Sequence, residues 1–472
     1  MPQCLRIAAG PVACGRWQRD ASHRKVNRMD NHSAHEDNLN KSSITLLGGV
    51  AMGTGVMIGA GIFALTGQIA ELAGPLFPLS FVAGALITAL ASYSYIKMSN
   101  AWPSSGVVAA SASVLMAMSM VINESLVART FATYALRPFG LEENALLISG
   151  LALGLIVFAY LVNAAGNRSV SGFSLVMSAI KVGGIAVFAV AAIWASGLFA
   201  GAFTEPASLS NGEALLASVA FSILAFKGFT TITNSGGEIV DPHKNVGRTI
   251  MISIAVCIVV YLLVALAVGS SLSIGEIVQA RDYSLAAAAR PALGDLGFYF
   301  TVAIAISATT SGVIASVFAV SRMLTMLTEM KMIPHSHFGM KGGIRSHMLV
   351  YTVVIAGTLA VLFDLSRIAS LGAFFYLVMD MLVHWGVFRS LRKEIGARAS
   401  VLLTALAADA VVLAAFTAAK LKSDPAVVSY AVIGIAAVFV AEWIFLSGQR
   451  RETNTDSIEN KVESGSGDHD RP

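Results

Sequence analysis

The stretch "GVMIGAGIFAL", residues 55–65, lies within an unbroken apolar run and carries glycines at positions 55, 59 and 61. In a helix interior each glycine costs about 0.5 to 1 kcal/mol relative to alanine because of its backbone entropy. Three explanations are open. Gly55 and Gly59 could form a Gly-x-x-x-Gly face for close helix packing, a membrane span could simply tolerate the glycines, or the helix could be interrupted here.

The composition places this stretch in a membrane protein. Of the 472 residues, 56% are hydrophobic and only 13% are charged, against roughly 25% charged in a typical soluble domain. The mean hydropathy is +0.71. The net charge of +4 is small, and the basic residues fall in short loops and tails, so we expect no nucleic-acid partner.

Motifs of enzymes and cofactor sites are missing from the sequence. The dipeptide Gly-Lys never occurs, which excludes a phosphate-binding loop of the Gly-x-x-x-x-Gly-Lys type. The three cysteines (Cys4, Cys14 and Cys257) form neither a disulfide framework nor a metal-ligand spacing. We therefore expect no enzymatic activity, no cofactor and no metal.

Twelve apolar runs have the length needed to cross about 30 Å of hydrocarbon. They lie near 44–70, 76–97, 107–135, 145–164, 170–196, 214–238, 249–271, 295–325, 347–364, 367–389, 400–420 and 426–447. The flanking tails, 1–43 and 448–472, are polar, and we expect both to be disordered. The sequence thus predicts an all-α integral membrane protein with twelve transmembrane helices.

The distribution of lysine and arginine predicts the orientation. If the N-terminus is inside, 23 of the 32 basic residues lie on the inner side, six lie in outer loops and three lie within spans. Those three are Arg129, Lys181 and Lys227. Both termini are therefore predicted to be cytoplasmic, in a plasma (inner) membrane.

Segment six also contains a glycine break. It reads "ALLASVAFSILAFKGFTTITNSGGEIVDPHKN" (214–245), with Gly228 beside the buried Lys227. Segments one and six correspond if 44–196 and 214–389 are two five-helix units of opposite orientation, followed by two further helices over 400–447. Paired glycine-broken segments in corresponding positions are the best sequence indication of a transporter's binding site. This context favours an interruption of segment one over packing.

Five motifs carry a resemblance to a known family. They are "GVMIGAGIF" (55–63), "AWPSSG" (101–106), "AFKGF" (225–229) followed by "EIVDPHKNVGRTI" (238–250), "SRMLTMLTEMKMIP" (321–334) and "LGAFFYLVMDMLVHWGVFR" (371–389). With these motifs, the chain resembles the amino-acid permeases of the amino acid–polyamine–organocation superfamily over about residues 40 to 447. The resemblance implies a LeuT-like five-plus-five inverted repeat with two added C-terminal helices, and discontinuous segments one and six.

The resemblance also implies a function. A secondary transporter of this kind carries an amino acid or related amine across the lipid bilayer by alternating access, and proton coupling is favoured. An amino-acid exchanger, a channel and a transport-incompetent nutrient sensor remain alternatives. The spacing of the motifs does not distinguish between these functions.

The resemblance assigns candidate substrate contacts to the two glycine-bearing segments. Backbone N–H groups around Ala60 would hold a substrate carboxylate, and carbonyls of the segment-six break would hold its ammonium. Phe226 and Phe229 would line the side-chain pocket, and Thr230 and Thr231 stand where relatives often have an acidic or other distinctive residue. The predicted substrate-binding residues are Gly59, Ala60, Gly61, Ile62, Leu224, Ala225, Phe226, Lys227 and Gly228.

Two further sites concern coupling and gating. Lys181 lies deep in segment five, where a lone ammonium costs at least about 2.5 to 3.5 kcal/mol, and similar proton-coupled relatives carry a lysine on this span. Its expected partners are the hydroxyls of Thr309, Thr310 and Ser311. Glu238, at the cytoplasmic end of segment six, is expected to bond loop backbone as part of a gate.

Overall fold

The computed structural model gives the fold of most of the chain. It describes residues 44–101, 110–165, 168–206, 212–330, 333 and 343–465. The predicted disordered tail 1–43 and the last residues of the C-terminal tail, 466–472, lie outside the described residues.

Within these ranges the chain is all-helical, as predicted, with no strand beyond an isolated bridge between Ile44 and Ile239. The helices are α1 (Leu46–Ala73), α2 (Phe77–Ala101), α3 (Ala110–Leu136), α4 (Ala145–Ala164), α5 (Arg168–Ser196), α6 (Gly212–Phe226), α7 (Phe229–Asn234), α8 (Pro242–Ser271), α9 (Ile274–Gln279), α10 (Ser284–Glu329), α11 (Ile344–Leu362), α12 (Leu365–Gly386), α13 (Ala399–Ser423) and α14 (Pro425–Gly465).

Each of the twelve predicted segments falls on one of these helices or, for segment six, on the pair α6 and α7. Ten stretches of the described helices are long and apolar enough to cross a membrane. Twelve crossings and the inverted repeat stay predictions. α10 contains one non-helical residue, Gly294, whose φ of 68° kinks the helix just before the predicted start of segment eight at 295.

The predicted interruption of segment one is wrong. α1 continues as a single helix from Leu46 to Ala73, through all three glycines of the opening stretch. Its glycines serve close packing instead: a Cβ on Gly61 would lie 2.6 Å from the Tyr261 hydroxyl oxygen and 2.8 Å from the Ala225 carbonyl oxygen. At Gly61, packing against neighbouring helices offsets the helix cost of glycine.

The predicted break in segment six is confirmed. α6 ends at Phe226, Lys227 and Gly228 form a turn, and α7 begins at Phe229. This pair of helices lies at the centre of the bundle: 89% of its most apolar stretch is buried, against 17% for the membrane-spanning part of α14. The break is therefore surrounded by protein, the condition under which irregular backbone is tolerated at membrane depth.

The last helix extends further than expected. α14 runs to Gly465, past position 447 where the sequence predicts a disordered tail to begin. Seven of the 18 residues at 448–465 are Glu, Arg, Lys or Gln, which are good helix formers, and no proline interrupts the stretch.

Candidate substrate cavity

The turn between α6 and α7 is held by short-range hydrogen bonds. The Lys227 N–H donates to the Leu224 carbonyl over 3.2 Å, and the Thr230 N–H donates to the Lys227 carbonyl over 3.1 Å. Gly228 lies so close to α1 that a Cβ there would be 2.7 Å from the Met57 backbone nitrogen. Any larger residue at this position would push α1 away from the break.

The turn leaves the Ala225 carbonyl available to a side chain from another helix. Tyr261 of α8 donates its hydroxyl hydrogen to this carbonyl over 3.0 Å. A carbonyl oxygen has two lone pairs, so the Ala225 and Leu224 carbonyls each keep acceptor capacity beyond the bond described here.

A cavity lies directly against the break. It has about 330 Å³ of empty space, counting the part open to solvent. Its walls come from α1, α3, α6, α7, α10 and the turn itself. The lining residues are Val56, Met120, Asn123, Leu224, Ala225, Lys227, Gly228, Thr230, Thr231 and Ser316.

Lys227 joins the cavity wall to α3. Its ammonium donates to the Ser119 backbone carbonyl and, over 2.6 Å, to the Ser119 hydroxyl. The same ammonium lies 5.8 Å from the ring centre of Tyr376 on α12. A buried ammonium requires such partners, because it has left water. Asp380 does not pair with Lys227, since its Oδ1 accepts a hydrogen bond from Tyr95.

A buried carboxylate lies behind the cavity. Glu124 of α3 is fully buried, and its Oε1 accepts a hydrogen bond from Ser316 over 3.2 Å. Its Oε2 has no hydrogen-bond partner among the described residues. Glu124 and Lys227 do not form a direct ion pair, since the ammonium of Lys227 is bonded to Ser119 and the carboxylate of Glu124 to Ser316.

Comparison with known proteins agrees with this geometry. The family model described as "Amino acid permease" matches residues 44–442, which is most of the chain. The chain belongs to the amino acid permeases. They are membrane transporters of the amino acid–polyamine–organocation superfamily, so this permease is a multi-pass membrane protein rather than a member of an enzyme family.

The individual relatives are identical to this chain at about a quarter of the aligned residues. The permease is 28% identical over 320 residues to the inner membrane transport protein YbaT of Escherichia coli, covering 63% of this chain and 72% of that protein. It is 22% identical over 391 residues to the branched-chain amino acid permease BcaP of Lactococcus lactis, covering 74% and 81%. It is 28% identical over 247 residues to the methylthioribose transporter of Bacillus subtilis, covering 46% and 52%.

The predicted substrate contacts divide into two groups in the permease. Leu224, Ala225, Lys227 and Gly228 line the cavity, whereas Gly59, Gly61 and Ile62 lie on α1 outside its lining. Ala60 lies on the same uninterrupted helix, so the N–H groups predicted to hold a carboxylate stand within helical backbone.

The two phenylalanines of the break do not line the cavity, contrary to expectation. Both are fully buried on the other side of the chain. Phe226 packs against Tyr261 with ring centres 4.9 Å apart, and Phe229 packs edge-on against Tyr95 at 5.2 Å. The two rings fix the position of the break, because each is wedged against a tyrosine of a neighbouring helix.

Lys181 is buried between α5 and α1. Its ammonium is 3.4 Å from the Gly55 carbonyl, and a Cβ on Gly59 would be 3.7 Å away. The opening stretch of glycines thus provides the surface that faces Lys181.

The hydroxyls expected to face Lys181 are engaged elsewhere. Thr309 donates to the Ala305 carbonyl over 2.6 Å, and Ser311 donates to the Ser307 carbonyl over 2.8 Å, both within α10. Thr310 is half-buried on the same helix. Among the described residues none of the three is hydrogen-bonded to Lys181, so direct contact is not part of this conformation.

Glu238 has a side-chain partner that the sequence did not indicate. Its carboxylate forms an ion pair with Arg322 near the end of α10, while its backbone carbonyl accepts the Ile44 N–H over 3.0 Å. The expected bonding to loop backbone therefore involves the main chain of Glu238, and the charge connects the segment after α7 to α10.

Sequence reasoning missed six of the ten residues that line the cavity. Asn123 and Ser316 come from α3 and α10, and Thr230 and Thr231 follow the break directly. The threonine pair was visible as a departure from the family pattern, so it carried a signal. Asn123 and Ser316 carried none, because only the packing of three helices brings them to the break.

Proposed function

We propose that this permease is a secondary active transporter of amino acids or related amines, working by alternating access and coupled to protons. It would work in the plasma (inner) membrane with both termini in the cytoplasm. The observation that carries the proposal is the cavity at the α6–α7 break, where backbone carbonyls with remaining acceptor capacity and polar side chains meet in the most buried of the apolar helix stretches described.

The polar groups around the cavity match a zwitterion. The Leu224 and Ala225 carbonyls supply acceptors for a substrate ammonium, in the negative field of the α6 C-terminus. Donors for a carboxylate come from Asn123, Thr231 and the third N–H of Lys227. The side chains of Asn123 and Thr231 line the cavity, and the amide and hydroxyl groups can each donate a hydrogen bond to a substrate.

The apolar part of the lining fits a substrate side chain. Val56 of α1 and Met120 of α3 supply it, and methionine adapts its shape to different ligands. This combination favours an amino acid with an uncharged side chain.

α1 is the proposed moving wall. In this conformation its N–H groups lie in a continuous helix, so a carboxylate contact at Gly59, Ala60, Gly61 and Ile62 requires α1 to open locally. The glycines make that rearrangement less costly than it is for other residues, because they weaken the helix by about 0.5 to 1 kcal/mol each.

Lys181 is the proposed coupling group. It links α5 to the glycine-rich face of α1 through the Gly55 carbonyl, so a change in its charge alters the contact that holds α1 in place. Protonation and the position of the moving wall would then be linked, which is the requirement for coupling.

Transport by the purified protein tests the proposal. A thermal-shift screen against the twenty amino acids and common polyamines identifies a ligand, since binding to the folded state raises the unfolding temperature. Uptake of that ligand is then measured in proteoliposomes with and without an imposed pH gradient. We expect saturable uptake, counterflow and accumulation driven by the gradient.

The alternatives give different results in the same vesicles. An exchanger requires internal substrate and ignores the pH gradient, a channel does not saturate or show counterflow, and a sensor binds ligand without moving it. Any of these three patterns would contradict the proposed symport.

A further inference from the structure

A second polar cluster lies away from the cavity, between α2, α12 and α13. It consists of Asp380 and His384, one helical turn apart on α12, and Asp409 on α13. All three side chains are completely buried. Their ligand-type atoms lie within 4.8 Å of one another, and His384 Nε2 is 3.3 Å from Asp409 Oδ2.

Outer partners on α2 orient two of these groups. Ser94 Oγ and His384 Nδ1 share a hydrogen bond of 2.8 Å, so Nε2 is the ring nitrogen that faces Asp409. The Tyr95 hydroxyl donates to Asp380 Oδ1 over 2.5 Å, which leaves Oδ2 facing the cluster. Metal-binding histidines and carboxylates are typically held in this way, with one polar atom bonded outward and the other turned to the ion.

The inward atoms lack hydrogen-bond partners. Asp380 Oδ2, His384 Nε2 and both carboxylate oxygens of Asp409 have none among the described residues. Buried polar atoms are nearly always paired, and an unpaired buried carboxylate is costly. Unpaired buried atoms on all three residues of one compact cluster indicate a ligand for them.

The charges agree with a divalent cation. Two carboxylates and a neutral imidazole carry a charge of −2, and no lysine or arginine among the described residues forms an ion pair with them. A divalent ion would neutralise the cluster completely in surroundings where uncompensated charge is unfavourable.

We propose that Asp380, His384 and Asp409 bind one divalent transition-metal ion that ties α2, α12 and α13 together. The mixture of imidazole nitrogen and carboxylate oxygen suits Zn²⁺ best. Ligands about 2.1 Å from a tetrahedral ion lie about 3.4 Å apart, close to the observed separation of His384 and Asp409. The ligand atoms of all three residues lie within 4.8 Å of one another, so the cluster would contract around the ion. The burial of the site favours a structural role for the ion.

Metal analysis of the purified full-length protein tests this proposal. Cells are grown with added Zn²⁺ and Mn²⁺, the detergent-solubilised protein is dialysed against EDTA, and first-row transition metals are measured by inductively coupled plasma mass spectrometry. We expect about one ion per chain in the wild type, because the three ligand side chains are completely buried and a chelator in solution has no direct access to them.

Variants assign the ion to the cluster. Asp409→Asn and His384→Gln should each lower the metal content at least tenfold. Ser94→Ala, which leaves all three ligands in place, should retain the ion 10- to 100-fold less well. Asp424→Asn is the matched control, since Asp424 pairs with Arg367 outside the cluster and the metal content should stay unchanged.

A metal-free wild type would overturn the proposal, as would an Asp409→Asn protein with unchanged metal content. If size-exclusion chromatography shows that the ligand variants do not fold, the Ser94→Ala variant still tests whether the ion lies at this cluster. Unchanged retention in that variant, with an ion present in the wild type, would place the ion elsewhere in the protein.

Discussion

The ammonium group of Lys227 donates a hydrogen bond to the Ser119 hydroxyl over 2.6 Å and a second one to the Ser119 carbonyl. These bonds attach the break between α6 and α7 to the middle of α3. The same lysine lines the candidate cavity, so one side chain both positions the site and supplies it with charge.

Replacing Lys227 should therefore change substrate affinity much more than protein stability. In Lys227→Met the charge-assisted hydrogen bonds are lost, at about 1.5 to 3 kcal/mol each, but the cost of burying the ammonium disappears too. We expect a small net change in unfolding temperature and at least a tenfold loss of substrate affinity, measured by thermal shift and by uptake. Ser119→Ala keeps the contact between the Lys227 ammonium and the Ser119 carbonyl, so this variant should lose less substrate affinity than Lys227→Met. Wild-type transport kinetics in Lys227→Met would leave this lysine with a structural role only.

Gly61 should not tolerate even a methyl group. A Cβ there meets Tyr261 and Ala225 at 2.6 to 2.8 Å, so we expect Gly61→Ala to cost roughly 1 to 3 kcal/mol and to reduce uptake strongly. Gly154 on α4 is the matched control, because its Cβ would meet open space and Gly154→Ala should cost nothing. Equal stability of the two variants, measured by thermal unfolding in detergent, would show that α1 and α6 are not packed this closely.

Lys181→Ala should abolish accumulation driven by a pH gradient while substrate binding and counterflow continue. The reason is that Lys181 contacts α1 through the Gly55 carbonyl but does not line the cavity. Thr309→Val and Ser311→Ala are controls and should remain coupled, since both hydroxyls bond to their own helix. Unchanged concentrative uptake by Lys181→Ala in proteoliposomes would rule this lysine out as the coupling group.

Breaking the ion pair between Glu238 and Arg322 should change transport more than stability. Both side chains are partly exposed, 37% for Glu238 and 56% for Arg322, so the pair contributes at most about 1 kcal/mol. If it controls a gate, Glu238→Gln should alter the maximal uptake rate, and exchanging the charges (Glu238→Arg with Arg322→Glu) should restore it. Identical rates in the single and double variants would exclude a gating role.

The orientation can be tested with single cysteines. Labels placed after Ser447 and within residues 239–247 should both react from the cytoplasmic side, as the excess of basic residues there predicts. Reaction of either position from outside would contradict the inverted-repeat arrangement.

Local sequence features were sufficient for much of the fold. Apolar runs of spanning length located every long helix of the described residues, because hydropathy and length are properties of the segment itself. The break at Lys227 and Gly228 was also predictable, since Gly228 stands beside a charged residue in an otherwise apolar run. The buried lysines were visible for the same reason.

The sequence by itself thus determined the helix segments, the break in segment six and the family of the chain. Tertiary structure decided whether the glycines of segment one interrupt the helix, because their intrinsic cost of about 0.5 to 1 kcal/mol each is of the same size as the packing gained against Tyr261 and Ala225. It also decided which polar groups meet. Asp380 and Asp409 are 29 positions apart and reach one another only because α12 packs against α13, a relationship that no local pattern encodes.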